Sequence, residues 1–299
     1  MNKAKNQHSV SDFYLKYFAT PETKGSKSPQ IWALDKEQGD PILTPTKDAA
    51  VRRYLYSPRD SLGQRRFDME QKLEKVESLL GRIWPILADG FIEFSDEVKK
   101  GLGLFLATLY LRHPSQIDLQ RNIHEQLLHL FDSMPQDANG RPAVSEFLMN
   151  GKNYPLDNSG WDKWRKAEAE DHKHSFVRAI EAHAHLLATH MLQRRWSVVF
   201  SEKPVFITSD KPVLLLHSKR ERFGVATPGV RIFFPFSPTR VLVIDDLKEQ
   251  DGLYYPLKEG TAACWNSLIW RNAEKFMYSP RHPDEICSEI VGFAERSQG

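Results

Sequence analysis

The sequence predicts an α+β fold, with a helical N-terminal and middle region followed by a mostly antiparallel, β-rich C-terminal third. Apolar residues recur at helical spacing from Phe67 to about Gln193. The remainder breaks into short apolar runs separated by turn residues, a pattern typical of strands. Because no linker-like stretch divides the chain, residues 1–299 are expected to form a single composite domain, helix-rich to about residue 194 and β-rich from about residue 195.

The N-terminal quarter is expected to combine a short helix with a strand pair. Ser11 is suited to cap a helix whose apolar face carries Tyr14, Leu15 and Phe18. The segments QIWALDK and PILTP, separated by a turn sequence, predict two paired strands. Ala49–Tyr56 is expected to be a helical turn that presents basic and aromatic side chains at the surface.

Three helices are predicted for the middle of the chain. The first follows Phe67, the second begins at Ser95 and ends at Arg112, and Pro114 permits a break before a third through Phe131. A further helical region is predicted from Trp161 to about Gln193, after loops at 133–143 and 150–160. The later elements are expected to be strands at 196–201, 204–208, 212–217, 230–236 and 240–245, a helix at Gly260–Ala273 and a strand at Lys275–Tyr278.

Composition limits the classes of function. The net charge of +2 provides no global basic field of the kind that draws DNA-binding domains to phosphates. Two cysteines cannot form a disulfide framework or a four-cysteine metal site, and the chain has no Gly-rich phosphate loop, no GxSxG elbow and no CxxC pair. The N-terminal residues MNKAKNQHSV lack the apolar run of a signal peptide, and no segment is long enough for a membrane span, so a cytoplasmic protein with no membrane partner is expected.

Several motif blocks occur in a characteristic order. They are QHSVSDFYLKYF at 7–18, QIWALDK at 30–36, EQKLEKVE at 70–77, FLATLYLRHP at 105–114, W…FITSDKPV at 196–213, IFFPFSPTRVLVI at 232–244 and WNSLIWRNAEKFMYS at 265–279. In their order and spacing they resemble the bacterial domain-of-unknown-function 4238 (DUF4238) family over nearly the whole chain. Ser11 departs from the proline that the family usually has at this position. Some members are associated with anti-phage defence islands, so the resemblance implies a defence effector that responds to a phage-derived trigger.

The same blocks contain side chains suited to hydrolysis. His8, Glu77, Arg112, Asp210 and Asn266 provide a histidine, two carboxylates, an arginine and an amide. These side chains would suit a nuclease or a nucleotide or phosphoester hydrolase. His8, Glu77 and Asp210 would serve as the base or as ligands of a divalent metal ion, and Arg112 would bind a phosphate. The alternative is structural: Arg112 pairs with Glu77 or Asp210, His8 caps a helix or bonds to backbone, and the protein is a non-enzymatic sensor or interaction module. Asp210, at the Thr-Ser-Asp junction of two strands, equally suits a turn.

Two further sets of residues suggest contact with nucleic acid. Arg178 and His183 have the Arg-x4-His spacing of the HEPN superfamily of metal-independent helical ribonucleases, although residues five apart lie about 140° apart around a helix. The basic runs would form an RNA- or DNA-binding groove if they converge beside an aromatic residue. These runs are Arg52-Arg53, Arg65-Arg66, Arg194-Arg195 and Lys219–Arg222.

Overall fold

The computed structural model describes residues 5–144, 146–149, 151–155, 157, 159–219 and 223–298. Its α-helices are α1 Asp12–Leu15, α2 Asp68–Asp89, α3 Asp96–Leu111, α4 Ser115–Asp132, α5 Trp161–Arg165, α6 Ala169–Leu192, α7 Ala262–Asn272 and α8 Pro283–Gln298. Its strands are β1 Asn6–His8, β2 Gln30–Asp35, β3 Pro41–Pro45, β4 Val51–Arg53, β5 Glu146–Met149, β6 Lys152–Pro155, β7 Arg195–Phe200, β8 Thr208–Ser209, β9 Leu214–Leu216, β10 Arg231–Ser237, β11 Arg240–Asp245, β12 Leu253–Pro256 and β13 Phe276–Ser279. This arrangement confirms the predicted α+β class.

The largest sheet has five strands in the order β12-β7-β11-β10-β9. All neighbours are antiparallel except β12, which runs parallel to β7. The buried Trp84 of α2 packs edge-on against Phe234 and Phe236 of β10, and its Nε1 donates to the carbonyl of Phe236. Phe105 of α3 packs against the same indole, so helices α2 and α3 share one aromatic core with this sheet.

The second sheet joins both ends of the chain. Its order is β3-β2-β13-β8, with antiparallel pairing throughout. The predicted QIWALDK and PILTP strands are confirmed as β2 and β3, with Ile31 opposite Thr44. Because β8 ends at Ser209, Asp210 lies directly at the edge of this sheet. The sheet therefore determines the position of the Thr208-Ser209-Asp210 segment at the candidate site.

The predicted helical turn at Ala49–Tyr56 is wrong. Residues Val51–Arg53 form β4, which pairs with β1 so that Gln7 lies opposite Arg52. Two non-glycine residues flank this strand with φ of +54°, Ala50 before it and Tyr54 after it. Such left-handed conformations are rare for residues with a Cβ atom, and helical propensity gives no sign of them.

The helical region differs from the prediction in its divisions. The expected helix from Trp161 to about Gln193 is two helices, α5 and α6, separated by 166–168. A β5–β6 hairpin lies partly within the expected loop at 150–160, and α8 follows the last predicted strand. Helix α6 packs closely on α3, since a methyl group at Gly103 would lie 3.6 Å from the carbonyl oxygen of Ala188. None of the helices within the described residues is long and apolar enough to cross a membrane.

Candidate functional site

A cleft of about 410 Å³ lies where the four-stranded sheet, the β1–β4 ribbon and the start of α4 meet. Its polar lining comes from segments that are distant in sequence. The ribbon contributes Arg52, the start of α4 contributes His113, and the sheet edge contributes Asp210 and Lys275. Asp48, in the short turn before β4, lies at its rim. The cleft thus collects polar side chains from three of the motif blocks, together with Arg52 and Asp48, which lie outside them.

His113 is held in one orientation by the start of α4. The backbone N–H of Ser115 donates to His113 Nδ1 over 3.2 Å, and the Ser115 hydroxyl lies 2.7 Å from the same atom. Because Nδ1 accepts from an amide, the proton of the neutral ring resides on Nε2. Burial, reinforced by the positive charges of Lys211 and Arg52, lowers the pKa of His113 to about 3. The imidazole is therefore neutral at physiological pH, with an Nε2–H that has no partner among the described residues.

Asp210 is bound by the backbone of the segment that precedes β13. Its Oδ1 accepts from the N–H of Glu274 at 2.9 Å, and its Oδ2 accepts from the N–H groups of Lys275 and Phe276 at 2.8 and 3.1 Å. Burial raises the pKa of the Asp210 carboxyl, and the three amide bonds oppose that rise. The carboxylate contacts the cleft, yet most of its lone pairs serve to hold the chain at 274–276.

The remaining charged groups of the cleft differ in their availability. Lys275 lies 3.1 Å from Asp35, and Glu274 lies 3.7 Å from Lys211. Asp118, also in the lining, pairs with Arg121. The side chains of Arg52 and Asp48, in contrast, make no hydrogen bond or ion pair with any other described residue. One cation, one carboxylate and one neutral imidazole N–H are therefore free to meet a ligand.

Glu77 and Arg112 lie together, as the structural alternative anticipated. Arg112 is 1% exposed, and its Nη1 donates to Glu77 Oε1 at 2.6 Å. Its Nη2 donates to the hydroxyl of Ser11 and its Nε to the carbonyl of Ser9, while the Ser11 hydroxyl also contacts Glu77. This cluster fixes the N-terminal segment to helices α2 and α3, and engages all three guanidinium nitrogens of Arg112 in internal bonds.

His8 and Asn266 bond to the backbone. His8 Nε2 lies 2.9 Å from the carbonyl oxygen of Lys47. Asn266 is fully buried; its Oδ1 accepts from the N–H of Ile207 and its Nδ2 donates to the carbonyl of Val205. Of the five predicted catalytic residues, the structure thus brings Glu77 and Arg112 into contact and places Asp210 in the cleft, while His8 and Asn266 each hold a strand or turn. Their catalytic roles stay predictions.

The residues predicted to contact nucleic acid are in different surroundings. Arg178 and His183 are exposed on α6, and no contact joins them.

The basic runs differ in how their side chains are used. Arg194 donates to the carbonyls of Thr227 and Val230. Arg195 makes a bidentate pair with Asp245 at 2.9 and 2.7 Å. Both are 7% exposed and serve internal contacts. Arg52 lines the cleft, Arg53 is exposed on the ribbon, and residues 220–222 of the last basic run lie outside the described residues.

Three residues of the cleft were missed by reasoning from sequence: His113, Asp48 and Lys275. For His113 a local signal exists, because a histidine followed by proline at a helix start can accept an N–H of the first turn. The other two are recognisable only through the tertiary arrangement. Within the described ranges, no group of three or more His, Cys, Asp or Glu side chains is arranged to hold a metal ion.

The comparisons with known proteins give one match. The family model described as "Protein of unknown function (DUF4238)" matches residues 6–282 of the 299-residue chain. No curated protein and no solved structure matches the chain. The matched range includes strand β8 with the following Asp210, the start of α4 and the β1–β4 ribbon, all of which contribute to the cleft. The chain therefore belongs to the DUF4238 family, as its motif blocks predicted.

Proposed function

We propose that the cleft binds and hydrolyses a phosphoester, with a nucleotide or a nucleic acid as the substrate class. The observation that carries this proposal is the convergence in one cleft of about 410 Å³ of the side chains of Arg52 and Asp48 and the Nε2–H of His113, none of which has a partner among the described residues. Clefts of this size accommodate a small ligand, and unpaired polar groups that converge in one are the usual mark of a binding site.

Each of the three groups has a distinct role in this proposal. The guanidinium of Arg52 binds two non-bridging phosphoryl oxygens in a bidentate contact. Asp48 accepts a proton from the attacking water as its oxygen bonds to phosphorus. The P–O ester bond breaks, and the departing oxygen is stabilised by a hydrogen bond from His113 Nε2–H and is protonated from solvent. Because the pKa of His113 is about 3, its imidazole is neutral, and in this role the ring donates a hydrogen bond and keeps its proton.

The test is hydrolysis of a substrate panel by matched variants. The panel contains nucleoside mono- and triphosphates, single-stranded RNA and single-stranded DNA, each with Mg²⁺ and with EDTA. Arg52→Gln is expected to lower kcat/KM by about 100-fold, a loss of about 3 kcal/mol of transition-state binding. Its neighbour Arg53 is the control, because successive residues of a strand face opposite sides. Equal activity of Arg52→Gln and Arg53→Gln would remove the cleft from consideration.

Two substitutions of His113 separate its roles. His113→Asn keeps an acceptor near the position of Nδ1 for the Ser115 amide and removes the Nε2 donor. His113→Gln places an amide near Nε2 and weakens the contact with α4. The proposal predicts that the Asn variant stays folded and is inactive, whereas the Gln variant retains part of the activity.

The rival function is a non-enzymatic sensor or interaction module. Its support is the internal use of Glu77, Arg112, Asn266 and Asp210, all in motif blocks. We extend the hydrolase proposal to a cytoplasmic anti-phage effector with a phage-derived trigger, as family membership implies. Phage plating on cells that express wild type, Arg52→Gln or His113→Asn distinguishes the two functions. An effector enzyme loses protection in both variants, and a non-enzymatic module keeps it.

The HEPN-like alternative at Arg178 and His183 has its own test. RNA cleavage that continues in EDTA, disappears in Arg178→Ala and persists in Arg52→Gln would favour a site on α6 over the cleft.

A further inference from the structure

A second groove, of about 490 Å³, lies between helix α2 and the loop 23–29. Three lysines line it, Lys16, Lys24 and Lys27, and no Asp or Glu side chain within the described residues is part of its lining. Lys16 pairs with Asp12 at 2.6 Å. The ammonium groups of Lys24 and Lys27 make no ion pair or hydrogen bond with another described residue. Two uncompensated positive charges in a concave site favour an anion.

The loop that carries these lysines is held in place. Thr23 Oγ1 accepts from the N–H of Gln30 at 2.9 Å, and the N–H of Ser26 donates to the carbonyl of Thr23 at 3.0 Å. Gly25 has φ of +82°, a conformation that its missing Cβ permits. The N–H groups of Gly25 and Lys27 donate to no described residue, which leaves two backbone donors beside the two lysines. Backbone N–H groups and ammonium groups are the donors that commonly bind phosphate oxygens.

The other side of the groove is aromatic. Phe13 and Tyr17 line it and are half-buried. Phe13 is fixed from behind by Trp84, with ring centroids 5.2 Å apart, and by Phe105 at 5.7 Å. Tyr17 makes no hydrogen bond with a described residue through its hydroxyl. Aromatic faces next to cationic groups accept a nucleobase by stacking while the phosphates contact the cations.

Gly81 provides an independent observation. It lies within α2, and it lines the groove. A glycine inside a helix destabilises it relative to alanine, which a steric constraint or a ligand at that position would explain. No steric reason exists here, because a Cβ atom at Gly81 would meet nothing within 4 Å. The space above this glycine is open, and a side chain there would occupy the groove.

We propose that this groove is a nucleotide-binding site, in which the base stacks on Phe13 and Tyr17 and a di- or triphosphate is bound by Lys24, Lys27 and the amides of the loop. The site shares no lining residue with the cleft of Arg52 and does not depend on hydrolysis there. A nucleotide is favoured over a free polyphosphate because Phe13 and Tyr17 give the groove an aromatic side that a polyphosphate would not use.

The test is calorimetric titration with a non-hydrolysable ATP analogue, carried out on the Arg52→Gln background so that binding in the cleft does not contribute. The double variant Lys24→Gln/Lys27→Gln is expected to weaken binding by about tenfold or more. Its control is Lys75→Gln/Lys100→Gln, which removes the same charge from exposed positions outside the groove and should leave affinity within about twofold.

A steric variant tests the groove without changing its charge or weakening the fold. Gly81→Leu adds a good helix former in open space, so it should fold at least as stably as wild type while weakening the analogue's binding by about tenfold. Pyrophosphate and adenosine are titrated as separate probes, and each should bind more weakly than the analogue. Unchanged affinity in Gly81→Leu or in the double lysine variant overturns the proposal. So does pyrophosphate binding as tight as that of the analogue, or absence of binding at millimolar analogue.

Discussion

Arg112 donates to Glu77 over 2.6 Å, and both side chains contact the hydroxyl of Ser11. Because Arg112 is buried, its charge depends on this carboxylate for compensation. We expect Glu77→Gln, which keeps the shape and removes the charge, to lower the free energy of unfolding by about 2–4 kcal/mol. Urea unfolding at pH 7 measures the change. Glu74→Gln, at an exposed position of the same helix, should stay within about 0.5 kcal/mol of wild type.

The result also bears on the predicted catalytic role of this pair. If Glu77→Gln unfolds like wild type but abolishes hydrolysis, the pair acts in catalysis and the structural explanation fails. A loss of stability together with unchanged kcat per folded molecule supports the structural role.

Asp210 should contribute to stability through the three amides that it binds. Asp210→Asn replaces one acceptor oxygen by an NH₂ group, which would face at least one backbone N–H of 274–276. Leaving a buried donor unsatisfied costs about 1–3 kcal/mol, so a loss of that size is expected. Hydrogen exchange at Lys275 and Phe276 should accelerate in parallel. Full stability and unchanged exchange in the variant would show that the carboxylate does not hold this segment, and would return Asp210 to consideration as a purely catalytic group.

His113 should make the protein less stable as the solution becomes more acidic. Its pKa is about 3 in the folded protein against an ordinary value of 6.5, so between these values the unfolded chain binds the proton and the folded chain does not. Stability contributed by the neutral ring is therefore complete above pH 6.5 and declines as the pH falls towards 3. Unfolding free energies measured at pH 7, 6 and 5 should decline less for His113→Asn than for wild type. Identical pH profiles would contradict a neutral, buried His113.

Glu70 is expected to have the opposite pH dependence. Burial, together with the neighbouring charge of Glu77, raises the pKa of Glu70 to about 7 from an ordinary 4.5. The folded protein therefore holds this proton in a range where the unfolded chain has lost it. The resulting stability is complete below pH 4.5 and is lost as the pH rises through 7. Glu70→Gln, which mimics the protonated form, should be more stable than wild type at pH 8, and the difference should shrink by pH 5.

The control is Glu259→Gln, at an exposed position outside this cluster, which should not change the pH profile. Between pH 4.5 and 6.5 the contributions of Glu70 and His113 oppose each other, so wild type should vary less with pH in that range than either variant. A Glu70→Gln variant that is no more stable than wild type at pH 8 would show that this carboxyl titrates normally.

Local patterns were sufficient to predict most helices and strands. The spacing of apolar residues identified α2, α3 and α4, and the strands around Trp196 and Ile232, because these elements each bury one continuous face. The break between α5 and α6 has no proline or glycine to mark it. Helix and strand identity therefore followed from sequence where the periodicity is local and strong.

The composition of the site could not be predicted in the same way. Asp210 finds its donors at 274–276, more than sixty residues later, and Arg112 finds Glu77 on another helix. Sequence identified these polar residues but not whether a partner satisfies them. The distinction between a satisfied and a free polar group is what separates Arg112 from Arg52, and it is a property of the tertiary structure.

The strained backbone before β4 leads to the last prediction. Ala50 lines the cleft and has φ of +54°, while its carbonyl accepts from the N–H and the hydroxyl of Ser9. A methyl group in this conformation costs about 1 kcal/mol relative to glycine, and such strain is often found where a functional side chain must be presented. We expect Ala50→Gly to raise the free energy of unfolding by about 0.5–1 kcal/mol, since relief of strain exceeds the added entropy of the unfolded chain.

The neighbouring Ala49 is the matched control. It is buried, with φ of −80°, so Ala49→Gly removes packing and adds chain entropy without relieving strain, and should destabilise the protein. If the conformation of Ala50 serves to aim Arg52, the more stable Ala50→Gly variant should show a higher KM for the phosphoester substrate, because a freer hinge lets the guanidinium leave the cleft. A variant that gains stability with unchanged KM would show that the strain at Ala50 has no part in presenting Arg52.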